Sequence, residues 1–157
     1  MMKQMTLIRT LLLALLLTFA ATTKAEEAST GALNLAQYQG KVVVLDFWAS
    51  WCGPCRRSFP WLNAMHNKYQ QDGLVVIGVN LDASQDDAAE FLEDYPAEFK
   101  IHFDTDATLA TEYDVDAMPS SFVIGRDGAL RASHRGFKVK QQDEYEAILV
   151  EALGEKP

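Results

Sequence analysis

Cys52 and Cys55, separated by Gly53 and Pro54, are the residues of this chain whose type and spacing could do chemistry. They come directly after a Val-rich apolar run and directly before apolar residues at helical spacing, where a strand hands over to a helix. The start of a helix presents unpaired backbone N–H groups and the positive end of the helix dipole. A thiolate at Cys52 is stabilised there, its pKa is lowered, and the thiolate is the attacking species. Cys52 is therefore expected to be exposed and acidic. Cys55, one turn further in and facing the sheet, is placed to resolve a mixed disulfide formed on Cys52. Gly53 leaves space beside the sulfur for a substrate chain. Pro54 is tolerated in the first helical turn because its missing N–H has no helical partner.

Spacing alone leaves two other uses of the pair open. A structural staple over so short a loop removes only roughly 2 kcal/mol of unfolded-state entropy. Metal capture by two thiolates is the other use, but zinc wants about four ligands. His66, His102 and His134 are scattered with no metal-ligand spacing and read as surface or boundary residues.

Asp46 is an acid in the middle of the apolar run Lys41-Val42-Val43-Val44-Leu45-Asp46-Phe47-Trp48. Burial raises a carboxyl pKa because the charged form loses its hydration. A neutral carboxyl near the thiols can relay the proton that Cys55 must lose before it attacks. The plainer reading is an acid at the strand's exposed end. Trp48 and Trp51 either border the cysteines or pack the core. Glu90, Glu93, Asp94 and Glu98 read as a solvated acidic face.

The elements that position these residues follow from periodicity. Phe59, Leu62, Met65, His66 and Tyr69 mark one helical face, which Gly73 ends. Residues 74–79 form a second buried strand. A helix over 85–95 carries Ala88, Phe91 and Leu92 inward until Pro96 stops it. Ile101 and Phe103 sit in a short extended piece, and Asp106 is placed to cap a short helix through Tyr113. Residues 121–124 and 129–134 are strands joined by a turn at 126–128. A last helix over 141–153 turns Tyr145, Ile148, Leu149 and Leu153 inward, with Gly154 ending it. Leu33 and Leu35 are expected to pair at a sheet edge. The pattern is that of an α/β sandwich with a mixed sheet.

The 157 residues are 48% hydrophobic and 23% charged, a balance that supports a packed core and excludes disorder or a multi-pass membrane protein. The net charge of -8, without any Lys/Arg cluster, sets nucleic-acid binding aside. Residues 1–25 combine Lys3 and Arg9, a Leu-rich stretch and small residues up to Thr23-Lys24-Ala25, the pattern of a secretory signal peptide cleaved after Ala25. An uncleaved membrane anchor is the rival reading, but the uncharged stretch falls short of the ~20 residues of a spanning helix. Residues 26–157 then form one domain in the periplasm, where disulfides persist.

The segment Val44-Leu45-Asp46-Phe47-Trp48-Ala49-Ser50-Trp51-Cys52-Gly53-Pro54-Cys55 resembles the active-site strand and helix start of the thioredoxin superfamily. Pro60 matches that family's helix-kinking proline, and Met118-Pro119-Ser120 matches the place of its cis-proline loop. The longer middle, from Ile77-Gly78-Val79-Asn80-Leu81-Asp82 through Phe103-Asp104-Thr105-Asp106, is similar to the exported branch of TlpA-, ResA- and CcmG-like thiol–disulfide oxidoreductases. The resemblance covers about residues 33–153. It implies a thioredoxin-like fold, α/β, with a mixed central sheet flanked by helices and a βα insertion in the middle.

It also implies catalytic roles for Cys52, Cys55 and Asp46, and a substrate rim of Trp51, Gly53 and Pro54. The Met118 backbone beside a cis Pro119 is implied to bind an extended substrate segment. The implied protein is a monomer without dissociable cofactor or metal. Its substrates are cysteine pairs in exported proteins, and a membrane thiol carrier is its electron donor. The Gly-Pro dipeptide resembles that of reducing members, with cytochrome c maturation, copper-site assembly and general disulfide repair as the processes served. The alternatives are a disulfide oxidase or isomerase, and a metallochaperone whose thiolates hold copper(I). Three positions depart from relatives. Gly78 stands where compact thioredoxins place a lysine, Ala117 where many have glycine, and Asp82 near where exported reductases often carry a glutamate.

Overall fold

The structure is a computed structural model that describes residues 32–156. The segment 1–25, read above as a signal peptide, lies outside the described residues. Among those described, no helix is long and apolar enough to cross a membrane. The strands are β1 (Val42–Trp48), β2 (Leu74–Asn80), β3 (Lys100–Phe103), β4 (Ser120–Ile124) and β5 (Leu130–Arg135). The helices are α1 (Cys55–Tyr69), α2 (Gln85–Asp94), α3 (Thr108–Glu112) and α4 (Gln142–Gly154).

All seven residues of β1 are buried, which requires sheet neighbours on both edges and cover on both faces. β2 pairs with β1 in parallel and β4 pairs antiparallel on its other side. β3 and β5 form the edges, in the order β3-β2-β1-β4-β5. The mixed sheet and its helices are those of a thioredoxin-like fold, and α2 with β3 is the inserted unit at one edge. Side chains alternate along β1. Val42, Val44 and Trp48 enter one core with Phe59, Leu62 and Met65 of α1, Phe91 of α2 and Leu149 of α4. Val43, Leu45 and Phe47 enter the opposite core with Leu109 and Ala110 of α3. Cys52 and Cys55 belong to the first of these cores.

Several local expectations change. Leu33 and Leu35 do not pair at a sheet edge. The Asn34 side chain accepts from the Ala36 N–H and turns the chain into a 3-10 helix, Leu35–Tyr38. Both leucines instead pack on the α3 face. The short helix expected from Asp106 to Tyr113 is Thr108–Glu112, and Asp104 caps it, its carboxylate accepting from Leu109 N and Ala110 N. Asp106 makes only a local turn to Thr108 N, because Ala107 takes a left-handed conformation between it and the helix. β4 starts one residue earlier than expected and β5 is displaced by one residue, with a register shift at Val123/Ile124. Gly154 is the last residue of α4 rather than its stop, the chain becoming extended at Glu155, whose two carboxylate oxygens accept from Arg131 Nε.

Gly78, opposite Asp46 in the sheet, is closely packed. A Cβ there would lie 3.0 Å from Phe99 Cε2, 3.0 Å from Trp48 Nε1 and 3.1 Å from Ile101 Cδ1. Trp48 and Phe99 are themselves buried, so neither swings clear into solvent. No lysine could stand here beside the acid, because aromatic side chains fill its space. Gly78→Ala should therefore destabilise the fold by about 1–3 kcal/mol through overpacking. Urea denaturation of the two proteins measures this, and an unchanged midpoint would show that Trp48 and Phe99 can give way.

Candidate active site

The cysteine loop leaves β1 after Trp48 and turns at once, the Cys52 N–H donating to Ala49 O at 3.0 Å. The pair is joined as a disulfide, Cys52–Cys55. Helix α1 begins at Cys55 with Pro54 as its N-cap, so Cys52 lies just ahead of the helix rather than within it. A helical N–H still reaches the sulfur. The Cys55 N–H, first of the helix, donates to Cys52 Sγ at 3.3 Å. Cys52 is not exposed as expected: it is 3% exposed and Cys55 0%. The bridge turns Cys52 Sγ inward towards Cys55, while Trp51, 70% exposed, and Gly53 form the open rim. Pro60 lies within α1 on its outer, exposed side.

The loop is held from beneath by a group that sequence reasoning left unassigned. Asp82, buried just past β2, accepts from Ser50 N and from Ser50 Oγ, both at 2.9 Å, and from Asn80 Nδ2 at 2.7 Å. Ser50 stands two residues before Cys52, so this carboxylate sets the path of the loop from which the sulfur projects. The available signal was a pair of polar residues, Asn80 and Asp82, at the carboxyl end of an apolar strand next to the cysteine strand.

Asp46 is 0% exposed, not at an open strand end. It alternates with Val44 and Trp48 on the face of β1 that packs Cys52 and Cys55. Burial pushes its carboxyl up to about 7, and a hydrogen bond from the Ser121 hydroxyl to Oδ1 opposes that only in part. Oδ2 has no hydrogen-bond partner among the described residues. A neutral acid is the cheaper state for such a group, and one titrating near neutrality can take and return a proton.

The Met118–Pro119 bond is cis. Pro119 is buried, its carbonyl accepting from Gly136 N at 2.7 Å, and Met118 packs against the core that contains both cysteines. Ala117, at the glycine position of many relatives, offers its carbonyl to Ser120 Oγ. The structure thus places Cys52, Cys55 and Met118 in one core on the face of β1 that carries Asp46, with cis Pro119 next to Met118 and with Trp51, Gly53 and Pro54 on the outer side of the cysteine loop. Trp48 is core, its indole edge-on to Phe59.

Glu90, Glu93, Asp94 and Glu98 are exposed, as read from the sequence. His102 departs from the surface position expected for it, being buried where β3 pairs with β2 through Val79. Among the described residues, no three His, Cys, Asp or Glu side chains are grouped as a metal would require.

Comparison with known proteins gives concordant matches. The AhpC/TSA family model matches residues 18–133. Thiol-disulfide oxidoreductase ResA of Bacillus thuringiensis subsp. konkukian is 31% identical over 114 residues, 72% of this chain and 66% of that protein. ResA of Bacillus subtilis is 30% identical over 66% of this chain and 58% of its own length. The chain thus spans a little under two thirds of these relatives. A crystal structure from Chlorobium tepidum, described as a thiol:disulfide interchange protein DsbE, is 44% identical with a TM-score of 0.77. That match covers 83% of this chain and 94% of the other.

Two outcomes follow from the buried acids. Between pH 4 and 7 an unfolded chain ionises Asp46, whose ordinary pKa is 3.8, while the fold keeps it protonated up to about 7. Stability contributed by the neutral acid is complete below pH 4, falls as pH rises, and is gone above 7, a loss of about 4 kcal/mol. Asp46→Asn should flatten that limb and be more stable than wild type at pH 8, with the gap closing towards pH 4. Urea midpoints across this range measure it, and parallel curves would mean that Asp46 is not the titrating group. Asp82→Ala strands the Ser50 and Asn80 donors and should cost about 1–3 kcal/mol for each group left unpaired. Thermal or urea unfolding at constant pH reads that loss.

Proposed function

The chain belongs to the AhpC/TSA family with ResA- and DsbE-like thioredoxin-fold relatives, and from that membership we propose that it is a thiol–disulfide oxidoreductase that reduces disulfides in exported proteins. One observation supports this above the others. The Cys52–Cys55 pair sits at the start of α1, with the first helical N–H on Cys52 Sγ and a buried, near-neutral Asp46 on the same face.

In the reduced protein, the N–H on Cys52 Sγ favours the thiolate, which attacks a substrate disulfide and expels one substrate thiolate. Asp46 takes the proton of Cys55. The Cys55 thiolate then attacks Cys52 Sγ, closes the disulfide and releases the second substrate thiolate. The two electrons come from the Cys52–Cys55 dithiol, so no dissociable cofactor enters the cycle. Trp51, Gly53 and Pro54 form the rim over which the substrate lies, and Met118 beside Pro119 offers backbone to an extended segment.

The reducing direction rests on the Gly-Pro dipeptide between the cysteines. Export rests on the composition of residues 1–25, with cleavage after Ala25 and the periplasm as destination. Since that compartment oxidises, a membrane thiol carrier would restore the dithiol. The substrates are protein cysteine pairs, and cytochrome c maturation is one process that needs them reduced.

Cys55→Ser keeps the attacking sulfur and removes the resolving one. Expressed in the exporting compartment and isolated without reductant, it should accumulate disulfide-linked partners that Cys52→Ser does not. Adducts on Cys52→Ser instead would reverse the two roles. No adducts on either, with both variants keeping wild-type function, would make the pair a staple. The reduction potential of the pair against a dithiothreitol buffer fixes the direction: a value well above the compartment's poise makes the protein an oxidase or isomerase. Stoichiometric copper(I) on the anaerobically reduced protein, without turnover of a disulfide substrate, would support a metallochaperone.

A further inference from the structure

Ile101, Gly78, Asp46, Ser121 and His134 are paired in turn across β3, β2, β1, β4 and β5, one lateral row over the whole sheet. Residues paired in this way project to one face, here the face that packs Cys52 and Cys55. The row is chemically lopsided. Towards β3, Asp46 meets Gly78, whose missing side chain is replaced by Phe99, Trp48 and Ile101. Towards β5 it meets a hydroxyl and then an imidazole. Ser121 donates to Asp46 Oδ1. His134 is half-buried on the edge strand, and its Nε2 is enclosed without a hydrogen-bond partner among the described residues.

Ser121 and His134 line a common cavity of about 20 Å³, walled by Val44, Trp61, Phe137 and Tyr145. One water needs ~10–15 Å³ and at least two polar contacts, which the Ser121 hydroxyl and His134 Nε2 can supply. We propose that His134, acting through one water in this cavity and through Ser121, is the proton outlet of Asp46, passing to solvent the proton that Asp46 takes from Cys55. This rests on the oxidoreductase reading and on the part given there to Asp46.

Each transfer balances. The Cys55 S–H gives its proton to the Asp46 carboxylate, leaving a thiolate and a carboxylic acid. The acid passes its proton to Ser121 Oγ as the serine's own hydroxyl proton moves to the water. The water in turn protonates His134 Nε2. No electron moves, and the positive charge ends on an edge-strand imidazolium that releases it to bulk solvent. The same steps reversed return a proton when the disulfide is reduced.

Among the described residues, the side chains lining this route carry no charge. Facing Asp46 are the two cysteines and Ser121. The buried side chains of α1 and α4 on that face, among them Ser58, Phe59, Leu62, Tyr145 and Leu149, carry no charge. Facing His134 are Ser121, Trp61 and the Tyr145 ring, 4.6 Å away, whose hydroxyl is engaged with Gln141 and Lys138 N. Burial holds His134 below its ordinary pKa, so near pH 7 it is neutral and its Nε2 is free to take a proton.

The test is single-turnover resolution of the Cys52 mixed disulfide, quenched in acid and counted by mass, across pH 5.5–8.5 in H₂O and in D₂O. His134→Phe and Ser121→Ala should each slow resolution about tenfold near pH 7 in dilute buffer, a modest share of what a positioned acid or base supplies, and should enlarge the solvent isotope effect. Added imidazole should restore His134→Phe but not Ser121→Ala, whose gap is internal. His134→Gln keeps a polar side chain without titrating and should behave like His134→Phe, so a phenylalanine that fails to fold leaves the test intact. Unchanged rates and isotope effects, or slowing that neither imidazole nor D₂O affects, overturn the outlet. If Asp46→Asn still alters the pH profile in that case, the role of Asp46 stands without it. If Asp46→Asn is also silent, that role fails too, whereas failure of Cys55→Ser to trap partners would remove the oxidoreductase reading itself.

Discussion

A carboxyl group with no exposure, at the middle of the central strand and with one hydrogen bond for its two oxygens among the described residues, is the constraint around which this molecule is arranged. An ionised acid there would be far costlier than a neutral one. The fold raises the Asp46 pKa to about 7 by surrounding it with uncharged groups: glycine on one neighbouring strand, serine on the other, and apolar helix faces above. It thereby accepts a carboxyl near the pH at which a thiol can hand it a proton. A fold selected for stability alone would place a valine at this position, as at Val42 and Val44 on the same face.

The cysteines depend on that strand in a second way. β1 delivers the chain to the loop at Trp48, and the Asp82 carboxylate then fixes Ser50 by both backbone and side chain. With Ser50 held and α1 started at Cys55, Cys52 has little freedom, and its sulfur meets the first helical N–H. Preorganisation of this kind matters for disulfide exchange, because the attacking sulfur must line up with the bond it breaks. The buried disulfide beneath an exposed Trp51 and Gly53 suits a site entered from the rim by a partner chain.

The two faces of the sheet divide the work. The α3 face is closed by aliphatic and aromatic groups, Phe47, Phe122 and Tyr113 packing ring on ring. The opposite face carries the thiols, the acid and the polar pair Ser121 and His134 within an otherwise apolar core. Polar groups inside a low-dielectric core are costly unless partnered, and here Ser121 partners Asp46 within the row while Asn80 and Asp82 partner each other beside the cysteine loop.

Much of this was legible in the sequence because it is local. The Val-rich run, the helical spacing of Phe59, Leu62 and Met65, and the Cys-Gly-Pro-Cys turn each encode an element through neighbours a few residues apart. An acid inside such a run already announced a perturbed group. Where short-range cues competed, the reading slipped. Asp106 looked like the cap of α3, but Asp104 reaches Leu109 and Ala110 because a left-handed Ala107 folds the chain back. Leu33 and Leu35 looked extended, but the Asn34 cap turns them. What tertiary structure alone decided are the long-range juxtapositions: Ser50 on Asp82, Ser121 on Asp46, His134 beside Ser121, and aromatic rings in the space over Gly78. Those depend on strand order and register, which bring together residues dozens of positions apart, and no local periodicity carries that information. The sequence determined which groups could react. The sheet, by setting its neighbours side by side, decided which of them meet.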